Sequence, residues 1–215
     1  MGRRPRGGQS PPFCMTAPAT PLLLLAAGLS TRMRGRDKLI EDTHGQPLIR
    51  DRAQMALAAG LDVHVALPAP DHPRAAALDG LPVTRLCLSG SAAGMGGTLR
   101  DGVAALPSAP RFMILLCDLP DLTSDDLRLI LAAPMAAPDA LVWMGCNATG
   151  QAGHPILCDT ALRVDFAMLD GDEGGREVMR RHRGRIASVT LPGNHATRDL
   201  DTPEEWAAWR AEGNG

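Results

Sequence analysis

Apolar residues in this chain come in short solid runs separated by glycine-rich or polar breaks, not in long amphipathic stripes. Leu22 to Ala27 is such a run and stops at Gly28; Asp62 to Leu67, Val83 to Leu88, Phe112 to Cys117, Ala140 to Met144 and Ile186 to Leu191 repeat the pattern, and Pro155 to Leu157 is a shorter version. Short apolar runs bounded by turn residues suit strands buried on both faces of a parallel sheet. Helical stretches fall between them: Ile49 to Ala59, closed by Gly60; Arg74 to Leu78; Leu99 to Leu106; Leu127 to Ala132; Arg176 to Arg181; and Pro203 to Arg210. The last has a firm start, with Thr202 as N-cap, Pro203 at the first helical position and Glu205 completing a capping box, and it sets Trp206 and Trp209 on one face. Strands alternating with helices predict βαβ units and an α/β fold, Rossmann-like, with a mostly parallel sheet and helices on both faces.

Composition narrows the partners. A length of 215 residues, 45% hydrophobic and 21% charged, suits one sizeable core. The expected division is a leader over residues 1–20, rich in Pro, Gly and Ser and disordered or preceding a start at Met15, then one domain over 21–212. A net charge of −2 argues against nucleic acid as a partner, and no apolar run is long enough to span a bilayer. The leader's arginines precede no apolar stretch, so it is not a secretory signal. The five cysteines are scattered and form no C-x-x-C pair, which argues against a zinc site or disulfide framework and points to a reducing cytoplasm.

Candidate chemistry gathers at the breaks. After Gly28 come Ser30 and Thr31, then Arg32, Arg34, Arg36 and Lys38. Glycine lets backbone N–H groups approach an anion and the cations neutralise it; on spacing alone the loop serves equally as a phosphate site or as solvated surface. It is neither a P-loop nor the G-x-G-x-x-G fingerprint. Gly90, Gly94, Gly96 and Gly97 form a second glycine-rich loop before a helix, readable as an anion site or as a plain turn. Asp118 follows a strand, placed either to hold a hard cation or to cap a turn. Asp199 and Asp201 precede the last helix, where carboxylates also complement the helix dipole.

The run Leu25-Ala-Ala-Gly-Leu-Ser-Thr-Arg-Met-Arg-Gly-Arg-Asp-Lys38 resembles the signature loop of the MobA-like nucleotidyltransferases, and within them the molybdenum cofactor cytidylyltransferases. Gly94 to Leu99, Leu116 to Pro120, Gly153 to Pro155, Gly171 to Arg176 and Asp199 to Pro203 match further motifs in the same order, over Leu22 to Trp209. The resemblance implies a fold of the nucleotide-diphospho-sugar transferase type. It implies that Leu25, Ala26, Ala27, Gly28, Gly94 and Gly96 bind nucleotide, and that Arg32, Lys38 and Asp118 both bind it and catalyse. It also implies that Asp118 and Asp201 hold Mg2+, and that His154, Asp172 and Arg176 face the acceptor. Ala27 goes with the cytidine enzymes, where the guanylyl branch has Gly, so CTP and a molybdopterin-type acceptor are expected, with a molybdoenzyme or its chaperone as a further partner. Arg34 stands where the family has Gly, and Cys117 stands where it has Gly before the Asp. A nucleotidyltransferase for a sugar phosphate or other phosphorylated acceptor, or a non-catalytic carrier, are the alternatives.

Overall fold

Four consecutive leucines, Leu22 to Leu25, lie in strand β1 (Pro21–Leu25), and none is more than 8% exposed. Side chains alternate across a strand, so Leu22 and Leu24 enter the core on one face while Leu23 and Leu25 enter it on the other. Burying each stabilises the fold by about 1.5–3 kcal/mol. The structure, a computed structural model, describes residues 19–28, 30–88, 94–171 and 174–214; residues 1–18 of the leader expected over 1–20, Gly90 and Asp172 lie outside these.

After β1 come a small hairpin of β2 (Asp42–Thr43) and β3 (Gln46–Pro47), then α1 (Leu48–Ala58), β4 (Asp62–Leu67), α2 (Pro73–Ala76) and β5 (Thr84–Cys87). The chain continues through α3 (Met95–Ala105), β6 (Arg111–Leu116), α4 (Ser124–Ala132), β7 (Val142–Cys146) and β8 (Ala152–Asp159). It closes with α5 (Arg163–Phe166), α6 (Arg176–Arg181), β9 (Ile186–Thr190) and α7 (Pro203–Trp209). The main sheet has seven strands in the order β5-β4-β1-β6-β8-β7-β9, all parallel except β8. Helices α1, α4 and α7 cover the face of Leu22 and Leu24; α3, α5 and α6 cover the face of Leu23 and Leu25. The expected fold class holds. Trp206 and Trp209 are each 1% exposed, with rings edge-on at 5.8 Å, on the first of these faces.

Two local expectations are corrected, and one element without a foreseen counterpart is added. Pro155 to Leu157 belongs to an eight-residue strand, β8, that runs antiparallel between β6 and β7. Its ends carry no apolar run, but two neighbours satisfy its backbone polar groups. Gly153 fits there because a Cβ would stand 1.9 Å from the Ala196 carbonyl oxygen. The β2–β3 hairpin has no hydrophobic signal either; it turns through His44 and Gly45, both at positive φ, which suits the twist of a two-residue loop. Helix α3 begins at Met95, so Gly96 and Gly97 lie in its first turn and not in a loop. Small residues there let the turn seat closely, with the Gly96 N–H donating to the Gly171 carbonyl at 2.9 Å.

Candidate active site

From β1 the chain runs outward to β4 and β5, then returns to β6 on the other side of β1. The connections leaving the carboxyl ends of β1 and β6 therefore diverge and open a crevice between them. The Cys117 N–H donates to the Leu25 carbonyl at 3.2 Å and pins the two strand ends together. Above them lies a cleft of about 490 Å3. Leu25, Ala27, Gly28, Arg32, Lys38, Gly94, Asp118 and Asp201 line it, together with Asp199 and the flanking Ser30, Thr31, Leu39, Met95, Thr98 and Leu116.

One cation joins residues remote in sequence. Lys38 Nζ donates to Asp118 Oδ2 at 2.5 Å and to Asp201 Oδ1 at 2.6 Å, and Arg32 pairs with Asp201 Oδ2 at 2.6 Å. Burial works against the Lys38 charge, but the two carboxylates outweigh it and raise its pKa. Burial likewise pushes Asp201 up, and the Lys38 hydrogen bond with the Lys38 and Arg32 charges brings it below its ordinary value. Asp199 is raised, by burial first and then by the charges of Asp201 and Asp118. The three carboxylates place one oxygen each within 4.8 Å of one another, and Asp118 Oδ1 is buried without a hydrogen-bond partner. Clustered hard oxygen donors with an unsatisfied buried oxygen fit a divalent cation such as Mg2+.

Local structure fixes the acidic side. Thr202 caps α7, and the Glu205 carboxylate accepts from the N–H groups of Thr202 and Asp201 at 2.9 and 2.8 Å, so the capping box also anchors Asp201. The Leu200 N–H donates to the Asp118 carbonyl at 3.3 Å. Behind Asp118, the buried Arg52 donates to the Leu119 and Leu122 carbonyls at 3.0 and 2.5 Å and steadies the segment after β6.

The basic side rests on Arg74, which is 2% exposed. Its Nη1 donates to the Ala26 and Gly28 carbonyls at 2.6 and 2.7 Å, its Nη2 to Ser30 Oγ at 3.1 Å and Asp37 Oδ1 at 2.7 Å, and its Nε to Asp37 Oδ2 at 2.7 Å. Sequence reading made Arg74 an ordinary residue of a short helix; an arginine amid alanines carries no pattern that marks it as buried. Ser30 and Arg34 both sit at φ 51°, left-handed backbone that favours glycine, which accounts for Gly as the family residue at the Arg34 position. Arg34 is turned to Glu204 at 2.8 Å, and Arg36 pairs with Glu41.

The other expected residues among those described do not line the cleft. Ala26 is 1% exposed and its N–H donates to Ala66, and Gly96 is buried in the first turn of α3. His154, on β8, approaches the Ile114 carbonyl through Nδ1 at 3.3 Å; burial lowers its pKa against the pull of Asp118. Arg176 is exposed at the start of α6. Asp199, expected only as a neighbour of the metal pair, is within the carboxylate cluster.

A strand-order switch point whose basic glycine loop faces carboxylates from the end of β6 and the segment before α7 is the architecture of an α/β nucleotidyltransferase. Residues 22–186 match the MobA-like NTP transferase domain, and the chain belongs to that family. It is 34% identical over 183 residues to the molybdenum cofactor guanylyltransferase of Bradyrhizobium sp. (strain ORS 278), covering 82% of this chain and 84% of that one. It is 24% identical over 188 residues to the nicotine blue oxidoreductase of Paenarthrobacter nicotinovorans, covering 85% and 92%. The fold superposes on a nucleotidyl transferase from Methanothermobacter thermautotroptrophicus (Mth528) with a TM-score of 0.72 at 21% identity, over 90% of this chain and 97% of that one. Among the described residues no helix is long and apolar enough to cross a membrane.

Proposed function

We propose that this nucleotidyltransferase moves CMP from CTP to a molybdopterin-type acceptor and releases pyrophosphate. The observation that carries the reading is Lys38 touching both Asp118 and Asp201 in the cleft that the glycine loop lines. An acceptor phosphate attacks the α-phosphorus in line while negative charge grows on the departing pyrophosphate, so catalysis rests on positioning and charge neutralisation. Arg32 and Lys38 supply the cations, and the ionised nucleophile needs no general base. Asp118 and Asp201 are the residues that would hold Mg2+, which supplies charge neutralisation to the phosphates when bound. Ala27 narrows the cleft by a methyl group relative to Gly, which favours a pyrimidine over the larger purine. His154, Asp172 and Arg176 belong to the acceptor side, and a molybdoenzyme or its chaperone, in the cytoplasm, receives the product.

Guanylyl transfer is the second reading, favoured by the name of the Bradyrhizobium relative. Pyrophosphate release measured with CTP, GTP, ATP and UTP, each with molybdopterin, with a sugar phosphate and without acceptor, decides. The expected result is release with CTP and molybdopterin; preference for GTP, or release with the sugar phosphate alone, overturns the assignment.

A further inference from the structure

We propose that Arg74 is a positioning residue for the nucleotide, turning the carbonyls of the glycine loop inward so that the Ala27 N–H is presented to the triphosphate. The proposal rests on the nucleotide reading of the cleft. All five guanidinium N–H groups are engaged, and every partner lies on the segment from Ala26 to Asp37. A trans peptide is planar with C=O and N–H on opposite sides. The Ala26 carbonyl is drawn toward the buried Arg74, so the N–H of the same peptide, which belongs to Ala27, turns away from the core. Ala27 lines the cleft, and neither its N–H nor that of Gly28 has a hydrogen-bond partner among the described residues. Unpaired N–H groups on a concave loop are a site for an anion.

Arg74 works here through shape and not through charge. Asp37 meets its guanidinium with both carboxylate oxygens at 2.7 Å, which neutralises it. What remains is a rigid fork spanning two carbonyls and a hydroxyl, a geometry that the three donors on a lysine ammonium cannot reproduce. The topology explains how a residue of α2 arrives under this loop. Strands β1 and β4 are parallel neighbours, so the segments that follow them leave from the same end of the sheet.

The test is calorimetric titration of wild type and Arg74→Lys with Mg2+·CTP, without acceptor. Hydrogen bonds to charged groups are worth enough that Kd is expected to rise roughly 10- to 100-fold, with unchanged stoichiometry. A merely structural role lowers the stoichiometry as protein unfolds and leaves Kd alone. In Arg74→Ala, millimolar methylguanidinium is expected to restore affinity where sodium does not. Should Arg74 variants fail to fold, the test passes to the Ala27 amide of wild type. In wild type the Ala27 amide resonance is expected to shift strongly on adding Mg2+·CTP. A Kd within twofold of wild type in folded Arg74→Lys, or an unmoved Ala27 amide in nucleotide-bound wild type, overturns the proposal alone. Absence of binding by folded wild type to any of the four nucleoside triphosphates overturns the nucleotide reading beneath it.

Discussion

Replacing Lys38 by Met probes the centre of the site. The methionine keeps the unbranched apolar stem of the lysine and removes its charged end. In the folded protein the side chains of Lys38, Asp118 and Asp201 are only 14%, 17% and 11% exposed, so water screens them little. Without the ammonium, Asp118 and Asp201 face each other with oxygens within 4.8 Å. At an effective dielectric near 20 that repulsion is about 3 kcal/mol. Arg32 still pairs with Asp201 and relieves part of it. At neutral pH the variant is expected to lose roughly 2–3 kcal/mol, near what removing one member of a buried ion pair does, which lowers Tm by about 4–12 °C for a domain of this size. Burial acts to raise the Asp201 pKa, but Lys38 and Arg32 hold it below the ordinary carboxylate value, so in wild type this stabilisation is lost as pH falls through the folded pKa and the deficit shrinks. Turnover is expected to fall about 100- to 1,000-fold, the usual effect of removing one preorganised electrostatic group. Thermal melting at pH 7 and pH 3 and pyrophosphate release with Mg2+·CTP measure the two effects. A folded Lys38→Met enzyme turning over within threefold of wild type refutes the role given to Lys38; an unchanged Tm at pH 7 refutes the electrostatic account of the cluster.

Two other perturbations test the scaffold. Burial acts to raise the Asp37 pKa, but the hydrogen bonds and charge of Arg74 hold it below the ordinary carboxylate value, so ionised Asp37 stabilises the fold above that value and the contribution is lost as pH falls through the folded pKa. Asp37→Asn is therefore expected to melt below wild type at pH 7, with the gap narrowing as pH falls through the folded pKa; an equal gap at pH 7 and pH 3 refutes this. Gly153→Ala forces a methyl against the Ala196 carbonyl, and separating β8 from that segment is expected to lower stability by roughly 3 kcal/mol. A urea midpoint matching wild type excludes so close an approach.

Much of this protein was legible along the chain. Leu22 to Leu25 announced a strand buried on two faces because an unbroken apolar run has no polar side to show water, and Asp62 to Leu67 became β4 with the same bounds. Thr202 and Glu205 marked the start of α7 because capping involves residues three apart. What decides β8 is different in kind: its ends become strand only because β6 and β7 lie on either side. Burial of Arg74 depends on the glycine loop lying over α2, and no local pattern encodes that meeting. Lys38 finds carboxylates 80 and 163 residues further along the chain. Periodicity and capping are short-range physics and are written in neighbouring residues. The order of strands in the sheet, and with it which charges share a crevice, is set by packing between segments far apart, and only the tertiary structure decides it.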